Sequence, residues 1–440
     1  MPELRSQKTQ TTLVRGIGAA GVSLVALNSM IGAGIFALPA AVAAKAGLLS
    51  PWLFLLIGLL FLTVVLAFAE LSSYFDETGG PVLYTKYAFG NPVGFLTGWS
   101  LYISRMTAYA ANVTAMAVYA GAIWPRLASD AGQYSIIVAV CGVLTVTNYI
   151  GVKDGIRTVA AFTVLKLVPI AVLILVGLKE VTGETLLPAS FPAVDDFGNL
   201  TLLIIYAFVG FEAATIVSGE TRNPRRTLPM TLVATVIGTA LLYFLIVLVF
   251  VSVLGDESAE GKTLVDTGRA IAGSVGALVI GLAAIFSIGG NLSANILSAP
   301  RLTFALGEQK LLPDWFARVH PKYATPGNSI LLLSALALAC ALSGSFELLA
   351  IASSLTRLIS YILCIGAIPI VRRRASEAAR AQAFHLRGGY AIPGIALALC
   401  LWIASHSPLR AWLVTLALFA LGAALYWLAQ RTLRSDSQAG

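Results

Sequence analysis

Long apolar runs alternate with short polar segments along the chain, and twelve runs approach the roughly 20 residues that a helix needs to cross a bilayer. Their approximate limits are 17–44, 51–74, 94–123, 133–150, 156–178, 199–219, 228–254, 271–304, 328–344, 347–371, 390–405 and 409–430. Turn residues mark the breaks: Gly79-Gly80-Pro81, Asn91-Pro92, Asn223-Pro224 and Thr325-Pro326-Gly327. The pattern predicts an all-α membrane protein with twelve transmembrane helices.

The first run carries an interruption. Residues Asn28–Pro39 read N-S-M-I-G-A-G-I-F-A-L-P, with Gly32 and Gly34 flanking Ala33. Each glycine costs a helix about 1 kcal/mol relative to alanine. Non-helical backbone at membrane depth survives only where it lines a cavity or is buried in protein, so a broken helix 1 predicts a polar ligand there. Helix 6 repeats the feature in Tyr206-Ala207-Phe208-Val209-Gly210-Phe211-Glu212, a glycine among apolar residues beside a carboxylate. Helix 6 opens the second group of five helices as helix 1 opens the first. Because five is odd, the second copy enters the membrane upside down, and a 5+5 inverted repeat with broken helices 1 and 6 is the architecture of a secondary transporter. The chain then divides into a tail (1–15), a first repeat (16–180), a second repeat (197–371), two extra helices (388–431) and a second tail (432–440). Glycines that merely allow close helix packing are the alternative.

Composition supports the class. Hydrophobic residues make up 58% of the chain and charged residues 11%, against about 25% charged in soluble domains; mean hydropathy is +0.85. The polar start, Met1–Gln10, and the run after it show no removable signal peptide. With the amino terminus inside, and with Arg157, Arg301 and Arg410 at span edges counted with the adjoining loops, 20 of the 29 Lys and Arg fall in cytoplasmic segments, 6 in outer loops and 3 within spans. This positive-inside bias puts both termini in the cytoplasm of a protein of the cytoplasmic (inner) membrane. The pI near 9.3 then points to topology and anionic lipid rather than nucleic acid, with Arg372-Arg373-Arg374 read as a lipid-facing anchor.

Enzyme chemistry finds little support. Gly255–Thr263 puts five residues between its glycines where a phosphate-binding loop needs four. His320, His385 and His406 lie far apart, and Cys141, Cys340, Cys364 and Cys400 show no metal spacing. No cofactor or metal is expected.

Three motifs in order resemble the amino acid–polyamine–organocation superfamily of permeases. They are Gly32-Ala33-Gly34-Ile35-Phe36 with Pro39, then Phe208-Val209-Gly210-Phe211-Glu212 followed by Gly219-Glu220-Thr221-Arg222-Asn223-Pro224, and finally Ala299-Pro300-Arg301 through Leu312-Pro313 to His320-Pro321 and Thr325-Pro326. The resemblance covers helices 1 to 10. Opened helix 1 leaves N–H groups near Ala33, Gly34 and Ile35 at a helix amino terminus, which suits a carboxylate. Opened helix 6 leaves carbonyls near Phe208 and Val209, which suit an ammonium, and the resemblance implies that clamp for a free amino acid. Candidate substrate-binding residues are Ser29, Ile31, Gly32, Ala33, Gly34 and Ile35 on helix 1, and Tyr206, Phe208, Val209, Gly210 and Phe211 on helix 6. Tyr206, Phe208 and Phe211 are an aromatic gate or simple packing.

Charges within spans are costly and invite explanation. The resemblance implies that Lys166, midway along helix 5, replaces the cation of sodium-coupled relatives; a structural ion pair or a snorkelling lysine is the alternative. Burial disfavours a charged carboxylate, so Glu212 could carry a proton, or it could be a silent hydrogen-bonded hinge residue. Arg105, Tyr109 and Asn112, at i, i+4 and i+7 on helix 3, share one face. Aligned with the family, that face borders the pocket, and Arg105 either contacts an acidic side chain or makes a structural pair such as with Glu212. Asn295 on helix 8 matches a pocket-lining position, and Arg357 on helix 10 needs a partner that the sequence does not name. The expectation is a secondary active transporter moving an amino acid by alternating access, sodium-independent, working by exchange or with protons. The alternatives are a polyamine or organic-amine carrier and a non-transporting membrane sensor.

Overall fold

The computed structural model describes residues 18–75, 79–151, 156–186, 194–216, 218, 221–255, 261–386 and 388–439. The tail 1–15, Lys153, Gly219, Glu220, Arg387 and the loop stretch Asp256–Glu260 lie outside the described residues.

Helix follows helix along the chain. The first half holds α1 (Ala19–Met30), α2 (Gly34–Ala46), α3 (Ser50–Ser73), α4 (Pro81–Phe89), α5 (Asn91–Ile123), α6 (Asp130–Ile150), α7 (Ile156–Gly177) and α8 (Gly183–Leu186). The rest is α9 (Val194–Phe208), α10 (Ala213–Ile216), α11 (Pro224–Leu254), α12 (Leu264–Glu308), α13 (Gly327–Ser343), α14 (Phe346–Arg374), α15 (Glu377–Gln382), α16 (Ala391–Ser405) and α17 (Leu409–Ala439). Proline opens α3, α4, α5 and α11, where its missing N–H would have had no helical partner. Glycine closes α6 at Gly151 in the left-handed region.

Each apolar segment of the sequence holds helix, and six helical stretches among the described residues are long and apolar enough to cross a bilayer. The sequence pattern does not reveal α4 and α15, which are too short and polar to register as spans. It also starts the eighth segment late. Thr263 caps α12 through a reciprocal pair with Asp266, and the helix kinks at Ala272 and Gly273 before running on.

Helix α5 is the axis of the bundle, packed by α12 and α14, while α3 pairs with α11. Most of α5 is buried, including Ser100, Ser104, Arg105, Thr107 and Asn112. A helix buried nearly all round can put polar side chains on an internal cavity. Around the outside, Val138, Val143, Leu175, Val275 and Leu413 leave an apolar surface exposed, as lipid contact requires.

The arginine run departs from its expected role. Arg372 donates to both carboxylate oxygens of buried Glu70, at 2.7 and 2.8 Å, and to Gly389 O at 2.9 Å. Arg374 donates to Tyr87 O at 2.9 Å. A bidentate carboxylate and helix-end carbonyls satisfy these guanidinium forks better than lipid head groups, so two of the three arginines tie the ends of α3, α4 and α14 together.

Candidate functional site

Helix α1 stops at Met30, and Ile31-Gly32-Ala33 runs non-helical before α2 begins. A helix end leaves its last carbonyls without intrahelical donors, and side chains from two other helices supply them. Lys166 Nζ, fully buried on α7, donates to Ile31 O and to Asn28 Oδ1, both at 2.8 Å. Asn291 on α12 donates through Nδ2 to Asn28 O at 3.3 Å and Ser29 O at 3.2 Å. Ser287 Oγ approaches Ile31 O and Gly32 O at 3.4 Å. Across the break, the N–H groups that open α2 precede the first helical acceptor, Ala33 O, and have no carbonyl one turn earlier.

The second break has the opposite polarity. Helix α9 stops at Phe208, and Val209–Glu212 turns before the short α10. Gly210 stands at φ +112°, and a Cβ there would meet Ser29 O at 2.5 Å, so only glycine lets the two breaks touch. Glu212, fully buried, accepts from Gly210 N at 3.1 Å and from Tyr361 OH at 2.8 Å, and pairs with Arg357 Nη1 at 3.2 Å. Arg357 Nε also donates to Ser104 Oγ at 2.8 Å. Tyr243 OH covers Ala207 O at 3.0 Å.

Both breaks open on one cavity of about 330 Å³. Of the expected residues, Ser29, Gly32, Ala33, Gly34, Arg105, Asn112, Tyr206, Val209, Gly210, Glu212 and Asn295 line it. Ile31 and Ile35 are buried behind the wall, and Ile31 takes part through its carbonyl alone. Tyr109 is buried outside the lining, and Ala108 holds its place on the cavity face. Phe208 and Phe211 pack on Phe61, with Tyr243 and Tyr361 as further ring neighbours. Of the three aromatics, Tyr206 alone lines the cavity, with its ring edge-on to Phe346.

Gly34 also differs from expectation in the direction it leaves open. A Cβ there would meet Ala207 Cα at 3.1 Å, so the glycine lets α2 lie close against α9 as well as contributing to the wall.

An amide cluster joins the two halves. Asn112 and Asn295 both donate to Asn291 Oδ1 at 2.7 Å, and Tyr206 OH donates to Asn112 Oδ1 at 3.0 Å. Asn291 and Ser298 line the cavity although the sequence reading does not single them out, and Arg357, singled out only for its missing partner, lines it too. A signal existed, because Asn291, Asn295 and Ser298 stand at i, i+4 and i+7 on α12 and so share a face.

On the side toward the amino terminus of α1, the cavity is walled by Val25, Ile216 and Leu297. On the far side stand the Tyr206–Phe346 contact and, beyond it, an ion pair of Lys45 with Glu347 at 3.0 Å.

The chain resembles known proteins over most of its length. The family profile described as amino acid permease matches residues 17–433. The chain is 30% identical to the serine/threonine exchanger SteT of Bacillus subtilis over 385 residues, covering 85% of this chain and 87% of that one. It is 26% identical to the methylthioribose transporter of the same organism, over 97% and 96% of the two chains. It is 25% identical to the branched-chain amino acid permease BcaP, also of Bacillus subtilis, over 90% and 88%.

Proposed function

The chain belongs to the amino acid permease family of multi-pass membrane transporters, and from that premise we propose that it carries an amino acid through the central cavity by alternating access. The observation that carries this reading is the meeting of two interrupted helices at one cavity. The N–H groups opening α2 offer a carboxylate site at the positive end of a helix. The carbonyl end of α9 offers an ammonium site near Val209, which lines the same space.

The inverted repeat belongs to the proposal, with twelve spans and both termini in the cytoplasm. Its support is a correspondence between the fifth helices of the two halves. Lys166 is the eleventh residue of α7 and reaches the break of α1; Arg357 is the twelfth residue of α14 and reaches the break after α9 through Glu212. In this orientation the Tyr206–Phe346 and Lys45–Glu347 contacts close the outer side, and the cavity extends toward the cytoplasm.

Transport is proposed to be independent of sodium. The Lys166 ammonium already holds the Ile31 carbonyl that Ser287 also approaches, and a second cation about 4 Å away would be repelled by about 4 kcal/mol at an effective dielectric of 20. Glu212 is the group left to respond to protons. The test is uptake of labelled amino acids into proteoliposomes. Accumulation should be unchanged when choline replaces sodium outside, and binding without accumulation would return the chain to the sensor class. A strict sodium requirement would overturn the role given to Lys166.

A further inference from the structure

Three ionised side chains line the cavity among the described residues: Glu212, Arg357 and Arg105. Glu212 pairs with Arg357 and takes hydrogen bonds from Tyr361 and the Gly210 N–H on Oε2. Arg105 is 8% exposed, its Nη1 donates to the neutral Ser298 Oγ at 2.5 Å, and its Nε has no hydrogen-bond partner. The cavity therefore holds one more guanidinium than carboxylate. A buried, half-satisfied cation is a strong destabiliser unless a ligand completes it.

The surplus charge lies at a definite level. Arg105 is seven residues from Asn112 on α5, and its partner Ser298 is seven residues from Asn291 on α12. At 1.5 Å per residue, both helices place the Arg105–Ser298 layer about 10 Å from the amide layer that meets the α1 break. One carboxylate at the amino end of α2 cannot also reach Arg105. A second anionic group, carried on the side chain of the same molecule, brings a carboxylate nearer to Arg105.

We infer that the amino acid carried by this protein has an anionic side chain, with Arg105 as the residue that selects it. This rests on the transport reading above and departs from the neutral amino acids named for SteT and BcaP. The substrate carboxylate takes the free Nε–H and an Nη–H as a two-pronged pair. The matching amide, one hydrogen-bond acceptor poorer and uncharged, leaves the guanidinium uncompensated.

The test is labelled L-glutamate and L-aspartate uptake into proteoliposomes of the full chain, beside L-glutamine, L-asparagine and L-serine. In the unmodified protein one acid should exceed its own amide by at least about tenfold in uptake efficiency, the discrimination of a site built around a charged partner. Arg105→Gln should bring that ratio near one, and Arg105→Lys should keep the preference in weaker form, with thermal unfolding recorded for both. The acid-to-amide ratio of the unmodified protein decides the matter even if a variant does not fold. Equal uptake of acid and amide overturns the inference, as does an Arg105→Gln loss that is the same for both, which would assign Arg105 to the α-carboxylate. Serine uptake with neither acid defeats the inference and leaves amino acid transport standing. Uptake of none of the five defeats the inference, and uptake of the remaining labelled amino acids then decides the transport reading.

Discussion

The break between α1 and α2 and the break between α9 and α10 solve one problem with opposite charges. At the first, helix carbonyls end in a low-dielectric interior, and donors are brought to them by Lys166, Asn291 and Ser287. At the second, the Gly210 N–H is left over, and the Glu212 carboxylate two residues on accepts it, with Arg357 and Tyr361 completing the shell. A cation at a carbonyl end and an anion at an N–H end each complement the local backbone dipole. The first break is held directly by a residue of another helix; the second is held through its own carboxylate. Disturbing the two should therefore have different consequences.

The largest effect is expected at the second break. Glu212→Ala leaves the buried Arg357 guanidinium without its carboxylate, and breaking a buried pair from one side costs about 3–5 kcal/mol. Apparent melting temperature in detergent should fall sharply and uptake should vanish. A double variant, Glu212→Gln with Arg357→Gln, should recover part of the stability because no uncompensated charge remains. A double variant as unstable as Glu212→Ala would show that the pair is not what holds this break.

Lys166→Met comes next. It removes one donor from two acceptors, Ile31 O and Asn28 Oδ1, each worth about 1–3 kcal/mol when left unsatisfied. Ser287 and Asn291 remain to hold the break, so the protein should reach the membrane in normal amount while uptake falls more than about tenfold. Uptake at the normal rate would mean that the α12 side chains suffice. A smaller effect on stability is expected of Gly210→Ala, where a φ of +112° costs a residue with a Cβ about 1–3 kcal/mol. The added methyl also presses on Ser29 O, so the contact between the two breaks, and with it uptake, should weaken more than the melting temperature does. A loss of stability as large as that of Glu212→Ala would make this contact, rather than the ion pair, the main tie.

Chemistry that depends on neighbours in sequence was readable at once. Gly32 with Gly34, Gly210 beside Glu212, and a lysine halfway along an apolar run announce a broken-helix site because helix propensity and bilayer cost act locally. Helix phase was readable less sharply. Arg105 and Asn112 face the cavity as their spacing suggests, yet Ala108 rather than Tyr109 stands between them. Periodicity gives the width of a face, and the neighbouring helices decide which edge of it is inside.

The sequence by itself determined that this chain is a membrane protein of long apolar helices, where two of those helices break, and which family it resembles. Each of these follows from composition or from a few adjacent residues. Only the tertiary structure decided the partners: Arg357 with Glu212 across 145 residues of chain, Lys166 with Ile31 O, Asn291 as the hub of the amide cluster, and Arg105 with Ser298. A buried charge declares in the sequence that it needs compensation. Which group supplies it depends on where distant helices pass, and packing of the whole bundle sets that.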